Sequence, residues 1–133
     1  MPSALYDDLG KLLLRLTVGG LMLFHGISKL GDGGSLRWIG GQLDAVGLPS
    51  LLAYGVFIGE IVAPLMVIAG VYTRIGGLLL IANMFFAIGL VHVAELFLLN
   101  ETGGYALELQ AFFVFAAATV ALLGSGRFAL KPD

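Results

Sequence analysis

Glu60 is the side chain best placed to do chemistry, because residues 51–72 contain no other charge and are long enough to cross a bilayer. A carboxylate at the centre of a membrane helix costs roughly 2.5–3.5 kcal/mol, so we expect Glu60 to have a polar partner or a wet cavity. Pro64, four residues later, lacks the amide that would bond the Glu60 carbonyl, and the helix should kink there. A carboxylate beside a released carbonyl would offer two acceptors to a protonated partner, a water molecule or a basic side chain.

The first apolar run also carries ionisable groups, namely Arg15, His25 and Lys29. At 100° per residue His25 and Lys29 lie about 40° apart, and Arg15 lies within about 80° of His25. One helix face therefore holds all three, and it should point into the bundle. Arg15 and Lys29 could instead snorkel to the two membrane surfaces, whereas His25 has no long stem and should form an interior hydrogen bond.

The third and fourth apolar runs contain further polar candidates. His92 and Glu95 lie about 60° apart, and Asn83 falls on the opposite side of the same helix, so we predict that they do not all face one cavity. Glu108 lies in the outer half of the fourth run, near Gln110.

Estimated depths predict an outward-facing polar pocket. At about 1.5 Å per residue from each span centre, four side chains fall in the outer half of the membrane, with Glu60 beneath them. These four are His25, Lys29, His92 and Glu108. No HxxxH or ExxH spacing is present, so we predict no metal site.

Composition indicates how these side chains must be positioned. The chain has 133 residues, of which 59% are hydrophobic and 12% charged, a balance outside the range of ordinary soluble domains. We predict an all-α polytopic membrane protein that forms a single domain. Its four-transmembrane-helix bundle would have spans at about residues 12–30, 51–72, 75–99 and 105–123.

Turn-forming residues separate the predicted spans. Residues 31–34 (Gly-Asp-Gly-Gly) should end the first span, and residues 35–50 should form a short interfacial helix with Trp38 at the headgroup level. Thr73 and Arg74 make a turn so tight that the second and third spans should be antiparallel neighbours.

The distribution of charge indicates an orientation and excludes one class of partner. Both termini and the Thr73-Arg74 turn would share one face, and five basic residues against two favour a cytoplasmic location for it. The five are Lys11, Arg15, Arg74, Arg127 and Lys131, and the two are Lys29 and Arg37. A net charge of −2 without a basic patch argues against nucleic-acid binding.

The chain contains no cysteine, so any sulfur chemistry must come from elsewhere. The first run follows an acidic segment and has no cleavage site, which predicts a retained membrane helix.

Several short segments follow one another in a characteristic order. In chain order they are Arg15, His25-Gly26-Ile27-Ser28-Lys29, Gly47-Leu48-Pro49, Glu60, Gly70-Val71-Tyr72-Thr73-Arg74 and Gly124-Ser125-Gly126. Through these segments the chain resembles the DoxX family of small four-helix bacterial membrane proteins. The resemblance covers almost the whole chain and implies a bacterial inner (plasma) membrane location. The family takes its label from a subunit of thiosulfate:quinone oxidoreductase, and some members are linked to membrane oxidoreductase complexes.

The resemblance implies a membrane component of a quinone-linked oxidoreductase system, in a lipid bilayer and beside a redox enzyme subunit. Glu60, His25 and Glu108 would then act as catalytic groups that orient or protonate a quinone headgroup. Lys29 and His92 would supply hydrogen-bond donors, and Arg15 is a further candidate for cofactor binding.

Two other functions fit the same residues. A small bundle with a polar interior could be a non-enzymatic scaffold or assembly chaperone, with Glu60 as a fixing contact for partner helices. It could also transport a small molecule or protons, for which four spans are few and a homodimer would supply eight.

Overall fold

The computed structural model describes residues 2–31 and 33–133, and within this part of the chain the regular structure is entirely helical. The α-helices are α1 (Ser3–Gly31), α2 (Gly33–Ala45), α3 (Ala63–Ala69), α4 (Thr73–Ala87) and α5 (Glu108–Leu123). The predicted all-α class is confirmed. Asp32, which the sequence places in the turn after the first span, lies outside the described residues.

Within the described part of the chain, three helical segments are long and apolar enough to cross a membrane: Ser3–Gly31, Ser50–Ala69 and Thr73–Glu95. The fourth apolar run also forms a helix, α5, but its 16 residues extend only about 24 Å. α5 starts late because the preceding loop is held by its own hydrogen bonds. The Asn100 side chain accepts bonds from the amides of Thr102 and Gly104, and the Asn100 amide donates to the Gly104 carbonyl.

The long helices pack as antiparallel neighbours through small residues. Gly19 of α1 lies against Ile68. Gly26, which is later in α1, lies against Glu60 and Ile61, which come before Ile68, so the two segments run in opposite directions. Gly77 of α4 lies against backbone and side-chain atoms of α5. The core between these helices is filled mainly by aliphatic side chains: Val18, Met22, Ala63, Val67, Leu80, Met84, Phe113, Ala117 and Val120.

Arg15 joins three parts of the chain at one end of the bundle. Its guanidinium donates to the carbonyls of Val67 (2.9 Å) and Ile68 (3.0 Å), and to those of Ser125 (2.9 Å) and Phe128 (2.7 Å). Only 1% of Arg15 is exposed, so the alternative that it snorkels to the membrane surface is wrong. Arg15 therefore ties α1 to the end of α3 and to the C-terminal segment.

The second helical segment is irregular around Glu60. A 3₁₀ turn (Ser50–Gly55) is followed by a π turn (Ile58–Val62) and then by α3, in which Pro64 is the second residue. The sequence predicts a kink here, and the structure has a π turn, because Pro64 has no amide to donate to the Glu60 carbonyl in an α-helical pattern. A second π turn, Ile88–His92, follows α4.

Candidate functional site

Glu60 is paired with Lys29. The Lys29 Nζ lies 2.6 Å from the Glu60 Oε1, and the side chains keep 21% and 8% of their surface exposed. The ion pair links α1 to the π turn that contains Glu60. Because a carboxylate this deep needs a counter-charge or water, Lys29 is the polar partner that the sequence requires.

Gly26 allows α1 to approach this π turn closely. A Cβ atom built on Gly26 would overlap the carbonyl group of Glu60 and contact the Ile61 side chain. The Glu60 carbonyl, which Pro64 cannot bond, therefore packs directly against the backbone of α1 at Gly26. Lys29 lies three residues later on the same helix, so this close approach helps bring its ammonium to Glu60.

The other carboxylate oxygen of Glu60 faces α4. Asn83 Nδ2 lies 3.5 Å from Glu60 Oε2, a long hydrogen bond. Gly59 makes room for this amide, because a Cβ there would overlap the Asn83 side chain. Glu60 is thus held between a cation and an amide from two different helices.

The ion pair forms part of the wall of an open cavity of about 200 Å³. Its lining residues come from α1, from both π turns, from α4 and from α5: Met22, His25, Lys29, Glu60, Asn83, Met84, Ala87, His92, Leu109, Gln110 and Phe113. Six of these carry polar side chains, which is unusual inside a membrane bundle. The cavity brings together four of the six predicted site residues, namely His25, Lys29, Glu60 and His92.

The two histidines are held differently. The His25 ring lies edge-on to the Phe113 ring, with centroids 6.1 Å apart and planes at 82°. His92 Nδ1 lies 3.2 Å from Glu95 Oε1, which leaves Nε2 free of that bond. Each imidazole can therefore present a ring nitrogen to a molecule in the cavity.

Two predicted site residues lie outside the cavity wall. Arg15 lies near the middle of α1 and bonds the end of α3 and the C-terminal segment, and Glu108 is exposed with its carboxylate beside Gly104. Gln110, two residues after Glu108, lines the cavity instead. The catalytic role of Glu108 and the binding role of Arg15 stay predictions.

The placement of Asn83 on the opposite side of its helix from His92 is wrong, because both line the same cavity, whereas Glu95 does not line it. An unbroken α-helix would place them about 180° apart. The π turn at Ile88–His92 inserts one residue, which reduces the separation to about 80°. Gly89 is the only local sign of this turn, and glycine is too common in membrane helices to reveal it.

The cavity wall combines hydrogen-bond donors and acceptors of several kinds. Its groups include a cation, a carboxylate, two imidazoles and two amides, so donors and acceptors face one space. Within the described residues, no group of three or more His, Cys, Asp or Glu side chains could hold a metal ion.

Comparison with known proteins shows that the chain matches one protein family. Residues 10–93 match the sequence model of the DoxX family, and this region includes Lys29, Glu60 and Asn83. The chain is 33% identical over 126 residues to a Bacillus subtilis (strain 168) protein named "Putative oxidoreductase CatD". The match covers 94% of this chain and 87% of that protein.

A second relative comes from Haemophilus influenzae. It is an uncharacterised protein, 34% identical over 123 residues, and the match covers 86% of this chain and 88% of that protein. No solved structure matches the chain.

Proposed function

The chain belongs to the DoxX family, and we propose that it is the membrane component of a quinone-linked oxidoreductase system. The observation that carries this proposal is the Lys29–Glu60 ion pair in the wall of an open cavity that also contains His25 and His92. The oxidoreductase name of the Bacillus subtilis relative supports the same class.

The cavity fits a quinone headgroup in size and in chemistry. A protein cavity of about 150 Å³ accommodates benzene, so about 200 Å³ accommodates one substituted six-membered ring. A quinone ring has carbonyl oxygens on opposite sides, and each needs a hydrogen-bond donor. Lys29, His25, His92 and Gln110 are donors that line this cavity.

Each residue would have a defined role. A bound quinone supplies two-electron chemistry that requires protons. Lys29 would donate to one ring oxygen, and an imidazole of His25 or His92 would donate to the other. Glu60 would hold the Lys29 ammonium in position and exchange a proton with the molecule bound in the cavity. Met22, Met84 and Phe113 would exclude bulk water from the ring faces.

A partner subunit would supply the electrons. The chain has no cysteine, so thiol chemistry would belong to that partner, and this chain would contribute the quinone site and the protons.

The membrane arrangement is part of the proposal. We assign α5 as a fourth crossing, since Phe113, Ala117 and Val120 place it in the same core as α1 and α4. Its shortness would be accommodated by local thinning of the bilayer. α2 would lie at the interface with Trp38 exposed, and the termini would face the cytoplasm of a bacterial inner membrane.

Purification in native lipid tests the proposal. We expect solvent extraction of the wild-type protein to release quinone, and an added short-chain quinone to raise its unfolding temperature. Glu60→Gln should abolish that rise while the bundle still inserts. Glu101→Gln is the matched control, because Glu101 is an exposed loop carboxylate outside the cavity wall. A wild-type protein that carries no quinone and does not respond to one would contradict the function.

A further inference from the structure

An apolar groove on the outside of the bundle adjoins the cavity. It has a volume of about 310 Å³ and runs between α1 and α5. On α1 it is lined by residues between Leu14 and Leu21, and on α5 by residues between Leu109 and Ala116. Thr17 is the one polar residue in its wall, and the Thr17 hydroxyl is already bonded to the Leu13 carbonyl at 2.8 Å.

The groove and the cavity share two wall residues, Leu109 and Phe113. Along α1 they are also consecutive, since the groove ends at Leu21 and the cavity begins at Met22. The cavity and the groove therefore adjoin at Leu109 and Phe113, and a molecule that reaches from one to the other passes these two side chains. The polar and apolar spaces together have the form of a site for an amphiphile.

The direction of the groove agrees with the position of such a molecule in a bilayer. The cavity lies toward the end of α1, whereas the groove covers the middle of this 29-residue helix. The groove spans residues 14–21 of α1 and 109–116 of α5, seven helical steps on each wall, which gives it a length of about 10 Å. A tail that left the cavity along the groove would run through the middle of the bilayer, where apolar chains lie.

We propose that this groove holds the apolar tail of the ligand whose ring occupies the cavity, so that the ligand is a tailed, membrane-soluble quinone. The inference rests on the proposed function and adds the tail as a second recognition element. Phe112, 75% exposed at the groove, is placed to cover the tail from the lipid side.

Two quinones with the same ring test the inference, one without a tail and one with a decyl chain. Dissociation constants are measured in nanodiscs of fixed composition and expressed per mole of lipid, so that partitioning of the decyl quinone is the same for every variant. Thr17→Phe fills the groove. Thr119→Phe is the matched control, because both threonines are exposed and each bonds the carbonyl four residues earlier, while Thr119 lies outside the groove.

We expect Thr17→Phe to weaken the decyl quinone by about fivefold or more and to leave the tail-less ring unchanged. Thr119→Phe should change neither affinity, and Ala116→Phe, on the opposite wall, should reproduce the effect of Thr17→Phe. If the decyl quinone binds Thr17→Phe as well as it binds Thr119→Phe, the groove holds ordinary lipid and the inference is overturned, while the proposed function stands. Equal weakening of both quinones would also overturn it, and a wild-type protein that binds neither would overturn the proposed function and this inference together.

Discussion

Among single residues, Lys29 and Glu60 should depend on each other most strongly. Removing one partner of a buried ion pair costs roughly 3–5 kcal/mol, and we expect the lower end because Lys29 keeps a fifth of its side chain exposed. Lys29→Met and Glu60→Gln should each lower stability in detergent, and the double variant should recover part of the loss. Chemical or thermal unfolding of all four proteins measures this coupling, and strictly additive losses would show that the pair contributes nothing.

Gly26 should tolerate no side chain. In Gly26→Ala the new methyl group would overlap the Glu60 carbonyl, so α1 must move away from the π turn, at a cost of about 1–3 kcal/mol or more. Gly20→Ala is the control on the same helix, because a Cβ there meets no atom within 4 Å and alanine favours the helix. Unfolding temperatures compare the two variants, and equal effects would contradict the close approach.

At the scale of elements, the π turn at Ile88–His92 should absorb a deletion. A π turn contains one residue more than an α-helical turn, so removal of Gly89 should leave a regular helix with both flanking parts in register. The expected loss is about 1–2 kcal/mol, as for an ordinary substitution. Removal of Ala118 from α5 should be far more damaging, because no π turn there can absorb the rotation of about 100°. Size-exclusion profiles and unfolding temperatures measure both, and a Gly89 deletion as damaging as the Ala118 deletion would argue against the inserted residue.

Arg15 should stabilise the junction of α1, α3 and the C-terminal segment without taking part in ligand binding. Lysine carries a point charge and cannot reach the four carbonyls that the guanidinium bonds, so Arg15→Lys should lower stability by at least about 2 kcal/mol. Arg127→Lys should change little, because Arg127 pairs with Asp8 at the surface. Short-chain quinone affinity of the folded Arg15→Lys protein should equal that of wild type. A lost affinity would return Arg15 to the binding site.

For the whole molecule, four crossings would place both termini on the same side of the membrane. The excess of basic residues on that side predicts that it is the cytoplasm. Fusion of a cytoplasm-active reporter after Asp133 should give activity, and a periplasm-active reporter at the same place should not. External labelling of Lys131 in intact cells would contradict this orientation, which places Lys131 on the cytoplasmic face and Lys29 and Arg37 on the outer face. Three crossings would place the two termini on opposite sides, so fusions at each end also test the role of α5.

Membership of the DoxX family and the all-helical class could be predicted from the sequence, and both are confirmed. The family followed from the resemblance of short motifs, whereas the helical class needed only local signals, since apolar runs and turn residues act over a few neighbours. The disruption at Glu60 was also predictable, because Pro64 removes a specific amide. The π turn at Ile88–His92 was not, and the error about Asn83 followed from it, since ideal helical angles assume an unbroken hydrogen-bond pattern.

The membrane character of the chain, its helical segments and the costly polar groups within them could all be read from composition and residue spacing. Composition and spacing carry that information because bilayer insertion depends on each segment nearly independently. Which polar groups meet became apparent from the packed helices: Lys29 pairs with Glu60, Gln110 rather than Glu108 lines the cavity, and Arg15 bonds α3 and the C-terminal segment. These outcomes depend on close approaches at Gly26 and Gly59 and on the phase of two π turns, which are properties of packed helices and not of one segment.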